Sequence, residues 1–148
     1  MRKIIFIHVI VPLVIGGLIY ISFRSLSLRM FDWFKWIHID FITSLIRDIM
    51  YPFKRQIPTW FYFSLPDALW VYSFSSALLI IWKDQFKKGK YWLLIPLLSG
   101  SIVEIAQAVK LFPGTFDMID LIFTTTALLF SIMLNSIFNQ NEKHKKLF

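Results

Sequence analysis

Apolar residues are distributed along this chain in four long runs, separated by segments of very different character. Residues 4–23, 65–82, 91–109 and 116–138 are each close to the ~20 apolar residues that a helix needs to cross a bilayer core about 30 Å thick. Backbone polar groups in lipid must be satisfied within each segment, so runs of this length predict helices and exclude open sheet. Between the first and second runs, residues 24–64 mix aromatics with charges. Arg29, Asp32 and Lys35 recur at helical spacing with Phe31, Trp33, Phe34 and Trp36 among them, the pattern of a helix lying in the membrane interface. A second amphipathic piece is expected over residues 41–50, with Phe41, Ile42, Leu45, Ile46 and Ile49 on one side and Tyr51-Pro52 ending it. Trp60–Phe63 reads as an aromatic belt where the chain re-enters the bilayer, and the whole segment is expected to cap the bundle on its outer face. The fold class predicted is all-α: one transmembrane domain over residues 1–138, followed by a polar tail at 139–148.

Composition supports this pattern. The 148 residues are 57% hydrophobic and 18% aromatic, with a mean hydropathy of +0.62, too apolar for a soluble domain. Arg2-Lys3 ahead of an apolar run resembles a signal peptide, but Ser22-Phe23-Arg24 offers no small-x-small cleavage site, so an uncleaved anchor is expected. The absence of cysteine excludes disulfides, thiolate metal sites and cysteine catalysis. The net charge of +7 belongs to loops beside spans and does not mark a nucleic-acid partner.

Those loops set the expected orientation. With four spans, Arg2, Lys3, Lys83, Lys87, Lys88, Lys90, Lys143, Lys145 and Lys146 fall on one side, with four lysines crowded into residues 83–90. The seven remaining basic residues lie opposite, six of them spread along the long segment 24–64. The positive-inside rule then puts both termini in the cytoplasm.

Acids are where such a chain stops looking generic. Glu104 lies inside the third run, Asp117 and Asp120 open the fourth, and Asp67 stands near the start of the second. An intramembrane carboxylate normally faces protein or water. Helical spacing puts Gly100, Ser101, Glu104, Gln107 and Ala108 on one stripe, and Asp117, Asp120, Thr124, Ala127 and Ser131 on another. Small and polar stripes of this kind pack across helix seams, so the two are expected to face each other. Structural roles compete with a binding role at each acid. Ser64-x-x-Asp67 has the form of a capping box. Asp117 suits a helix N-cap with Asp120 at the third helical position. Glu104 has no capping role within its own span, and could be held by a hydrogen bond to Gln107 or another helix. Lys110 reads as a snorkelling anchor, and His8, alone in its span, as a packed or hydrogen-bonded histidine.

If Asp67, Glu104, Gln107, Asp117 and Asp120 converge, they form an outward-facing polar pocket. Its carboxylates cannot all stay ionised without a shared proton, a bound cation or a cationic ligand. No nucleophile–base pair is visible, so catalysis is not expected, and no cofactor is implied. The readings left open are a pocket for an envelope lipid, a lipid-linked precursor or a cationic ligand; a small proton- or cation-coupled transporter subunit; and a structural partner whose polar stripes serve only packing.

At these residues the chain resembles the VanZ-like family of small bacterial membrane proteins. The family pattern is a glutamate, a glutamine three residues on, a turn often carrying Pro-Gly, then Asp-x-x-Asp. It is matched by Glu104, Gln107, Pro113, Gly114, Asp117 and Asp120. The stretch Leu65-Pro-Asp-Ala-Leu-Trp-Val-Tyr-Ser-Phe74 is similar to the family's second-span entry, so the likeness covers about residues 65–134. Thr115 stands where many members have arginine, and Thr124 where many have asparagine. The resemblance implies a multi-span membrane protein associated with glycopeptide resistance, especially to teicoplanin.

Overall fold

A computed structural model describes residues 2–85, 89–111 and 116–145. All regular structure among them is helical. We number six helices: α1 Arg2–Phe23, α2 Arg29–Trp36, α3 Asp40–Met50, α4 Thr59–Ile81, α5 Leu94–Ala108 and α6 Met118–Lys145. Short 3₁₀ turns occupy Tyr51–Gln56, Lys83–Gln85 and Lys90–Leu93. Three helical stretches, Arg2–Phe23, Thr59–Ile81 and Met118–Ser136, are long and apolar enough to cross a membrane.

The third expected span is shorter than the sequence suggested. Its α-helix has 15 residues and begins at Leu94, leaving Lys90–Leu93 as a 3₁₀ turn. Pro96 explains the late start. With no N–H to donate, proline is tolerated in a helix's first turn and disfavoured further in. The second expected span begins earlier, at Thr59, so Trp60–Phe63 form its first turn and Pro66 lies inside it. The α-helix α3 does stop at Met50, but Tyr51-Pro52 tightens the chain into a 3₁₀ turn without releasing it. The Pro113-Gly114 turn lies outside the described residues.

Prolines also shape α1. A π-turn at Phe6–Ile10 precedes Pro12, re-registering the backbone where proline cannot donate. Side chains of α4 satisfy carbonyls on this stretch: Ser73 Oγ donates to Val9 O at 2.7 Å, and Trp70 Nε1 to Leu13 O at 3.3 Å. In lipid such bonds substitute for absent water. The α1–α4 seam needs Gly16, since a Cβ there would lie 2.8 Å from Trp70 Nε1 and 3.2 Å from Pro66 O.

The most extensive packing joins α4 to α6, and α5 packs against both more lightly. Ser64, Ala68, Val71, Ser75 and Leu79 make one buried stripe on α4, stepping by three and four. On α6, Thr124, Leu128 and Ser131 are buried likewise. Small residues let helices approach closely where lipid removes the hydrophobic drive for association. The α6 stripe therefore does not belong to α5 alone. Val71 and Leu79 of α4 share one apolar cluster with Leu93 and Leu128, whereas Ala108, assigned to the facing stripe on α5, is exposed. A second cluster of Ile19, Phe23 and Tyr62 joins the end of α1 to the start of α4.

Helix α3 lies against that same end of α1, and α2 packs on α3, with the Arg47 guanidinium over the Phe31 ring. Arg47 Nη1 donates to Ile21 O and Arg24 O, both at 2.8 Å, and Lys54 Nζ to Phe23 O at 3.2 Å. Cations thus satisfy carbonyls left open at a helix C-terminus. Most of the apolar face of α3 is uncovered among the described residues: Phe41, Ile42, Leu45 and Ile49 are exposed and Ile46 is half-buried.

Candidate functional site

Helix ends meet at one end of the bundle, and the acids meet with them. The end of α1 stands beside the first turns of α4, and the end of α5 beside the start of α6. Asp67, Glu104, Gln107, Asp117 and Asp120, from three helices, all line one cavity of about 1200 Å³. Its further walls come from Val9 and Leu13 of α1, and from Phe63, Trp70, Phe74 and Ala77 of α4.

Asp117 caps α6. Its Oδ1 accepts from Ile119 N–H at 2.8 Å, the N-cap to N2 bond, and Asp120 falls at N3 as the spacing indicated. The remaining half of the cap comes from another helix. Glu104 Oε2 accepts the Asp117 backbone N–H at 2.9 Å. In a capping box that N–H goes to the side chain at N3. Here N3 is Asp120, and Glu104 of α5 takes its place. Asp120 Oδ1 is left buried, with no hydrogen-bond partner among the described residues. Glu104 therefore does cap a helix, though not its own.

Asp67 does not cap. Because α4 starts at Thr59, Asp67 sits more than two turns inside it, and the Ser64-x-x-Asp67 pattern is overridden. The aromatic turn Trp60–Phe63 is itself helical, and Pro66 does not end the helix but is carried within it. Asp67 Oδ2 instead pairs with Arg24 Nη2 at 3.5 Å, the two side chains being 35% and 23% exposed. Arg24 is the residue that sequence reasoning missed, having been counted only as a loop charge. The end of α1 turns it inward. Its guanidinium lies 5.1 Å from the Tyr20 ring centroid and 4.9 Å from that of Phe63, and Nη2 donates to Phe63 O at 3.3 Å. Its Nε is buried without a partner among the described residues. A basic residue immediately after an apolar run, one turn beyond an aromatic at Tyr20, was the available signal.

Asp67 lies within electrostatic reach of Asp120 and Glu104. Even so, no group of three or more acidic or histidine side chains among the described residues is gathered tightly enough to hold a metal ion. Of the segment 24–64, Arg24, Thr59 and Phe63 are in the lining and no residue of α2 or α3 is, so those two helices do not roof the cavity. The geometry can pair a cation with carboxylates and an anion with Arg24, in a space walled on its deeper side by apolar groups.

Compared with known proteins, the chain matches no family model, no curated protein and no solved structure.

Proposed function

We propose that this is a four-span protein of a bacterial cytoplasmic membrane, with both termini cytoplasmic. On this reading its carboxylate-lined pocket opens outward and binds the headgroup of an envelope lipid, a lipid-linked precursor or a cationic ligand. One observation carries the reading: residues of three helices line a single cavity in which Asp120 Oδ1 is buried and has no partner among the described residues. Acids serving only to pack helices would be expected to find donors, as buried polar groups normally do.

Three features support the membrane placement. Lys90–Leu93 and α5 run on without interruption, giving a helical length close to a span. The exposed apolar face of α3, together with Trp33 and Trp36 of α2, suits the outer interface, with Arg47 and Lys54 anchoring it to α1. The lysines at 83–90 then fall inside. The likeness to the VanZ-like family at Asp67, Glu104, Gln107, Asp117 and Asp120 makes envelope protection against glycopeptides such as teicoplanin the physiological setting of this proposal.

The chain lacks cysteine, so single-cysteine probes are clean. Thr59→Cys at the pocket mouth should react in intact cells with a membrane-impermeant maleimide. Teicoplanin or glycerophosphoethanolamine should slow that reaction several-fold, and a Glu104→Gln, Asp120→Asn background should abolish the slowing. Labelling only after permeabilisation would reverse the orientation. Labelling that neither probe slows would remove the binding role.

A further inference from the structure

The cavity is longer than its charged end requires. Along α4 its lining runs from Thr59 to Ala77, about 27 Å at 1.5 Å per residue, against a hydrocarbon core of about 30 Å. Phe63, Asp67, Trp70, Phe74 and Ala77 step by fours and threes, so they form one floor stripe. Val9 and Leu13 of α1 stand on one side of it and Ser99 of α5 on the other. Among the described residues α1 and α5 share no substantial packing, which leaves the groove open sideways between them. Leu13 and Phe74 remain 48% and 43% exposed along that opening.

The groove's chemistry is graded. All its charged groups lie at one end, and everything deeper is apolar or hydroxylic. A soluble cation would use only the charged end and leave a long apolar slot empty. At the charged end, the two buried orphan atoms make opposite demands: Arg24 Nε offers a hydrogen and Asp120 Oδ1 seeks one. Four carboxylates against a single guanidinium disfavour a purely anionic headgroup, yet the guanidinium still provides a seat for a phosphate.

We infer that the groove holds a zwitterionic aminophospholipid of the surrounding bilayer, entered sideways between α1 and α5. Its phosphate sits on Arg24, its ammonium on Asp120, and one acyl chain lies along Trp70, Phe74 and Ala77. This rests on the reading of the charged end as a binding pocket. Moving a chain from lipid into an apolar groove gains little, because lipid tails are as apolar as the groove itself. Selection therefore comes from the headgroup, and the slot decides only that the ligand is a lipid.

The test uses the full chain in detergent, titrated with dioleoyl phosphatidylethanolamine, dioleoyl phosphatidylglycerol and tail-less glycerophosphoethanolamine, with bound ligand read by native mass spectrometry. Phosphatidylethanolamine should bind about tenfold more tightly than phosphatidylglycerol, one charge-assisted hydrogen bond's worth. Asp120→Asn should erase that preference. Ala77→Trp, which fills the slot, should weaken lipid binding but leave the tail-less probe unaffected. Leu13→Trp on the opposite wall repeats the block should Ala77→Trp fail to fold, and the near-isosteric Asp120→Asn leaves the slot unfilled. Equal binding of the two lipids, or indifference to both tryptophans, overturns the lipid inference. The pocket reading survives if the tail-less probe still binds. No binding by any of the three probes overturns both.

Discussion

His8 and Asp120 are both polar side chains on membrane-length apolar helices, and their surroundings differ in kind. His8 Nδ1 and the Tyr72 hydroxyl lie 2.6 Å apart in a hydrogen bond that joins α1 to α4. The space beside them, lined also by Ser76, Ser131 and Asn135, is about 20 Å³, room for about one water. Nearby, Ser131 Oγ donates to Leu128 O and Ser73 Oγ to Val9 O, each at 2.7 Å. Around Asp120 the space is about 1200 Å³, and a buried donor and a buried acceptor stand without partners among the described residues. A closed polar cluster in lipid is a way of fastening helices. An open one is sustained by the rest of the fold, and such local conflicts concentrate at functional sites.

That contrast is broken most directly at Arg24. Arg24→Met leaves Asp67 without its cation in a half-buried setting. Exposed pairs contribute up to about 1 kcal/mol, whereas breaking a buried pair costs about 3–5 kcal/mol, so a loss of about 2 kcal/mol is expected. The double variant Arg24→Met, Asp67→Asn should recover most of it. Thermal unfolding in detergent measures both. A double variant no more stable than the single would mean that Arg24 acts by stacking on Tyr20 and Phe63 and not through its charge.

The sign of the effect separates the two clusters. Asp120→Asn removes a buried charge that has an orphan oxygen, at the expense of a favourable helix-dipole interaction. Ligand-free protein should gain about 1 kcal/mol while lipid selectivity disappears. Tyr72→Phe removes a satisfied interhelical bond and should lose about 0.6 kcal/mol, with ligand binding intact. If both variants destabilise alike, the distinction between an open and a closed cluster fails.

Much of this was legible in the sequence because it depends on local spacing. Asp117 and Asp120 could be placed at the N-cap and N3 of α6 from their three-residue separation alone, and Arg29–Trp36 from its charge pattern. What the sequence hid depends on which helix lies beside which. Glu104 has no donor within capping reach on its own helix, so its role appears only once α6 begins next to it. Ser64, Ala68 and Ser75 are a small-residue stripe as clear as the one on α6, but spacing along one helix does not say which other stripe it meets. The Ser64-x-x-Asp67 capping pattern misleads because the helix starts five residues before Ser64, at Thr59, and carries Pro66 inside it. Inside lipid, helices carry proline where neighbours resupply the hydrogen bonds.

The smallest expected effect uses one motif found in both parts of the molecule. Lys110 (φ 59°) and His38 (φ 58°) are the two non-glycine residues with positive φ among the described residues. Each follows a helix C-cap. Lys110 N–H donates to Gln107 O and Leu111 N–H to Ala106 O, at 3.0 and 2.8 Å; His38 N–H donates to Lys35 O and Ile39 N–H to Phe34 O, at 3.1 and 3.0 Å. Both pairs form the Schellman arrangement, in which the left-handed residue is usually glycine. Glycine there relieves about 1 kcal/mol of strain but adds freedom to the unfolded chain, so Lys110→Gly and His38→Gly should each gain about 0.5 kcal/mol. The two should part company in ligand binding only if Lys110, six residues beyond Glu104, contributes its charge to the pocket. It is exposed and absent from the lining, so equal stabilisation with unchanged lipid selectivity is the expected result.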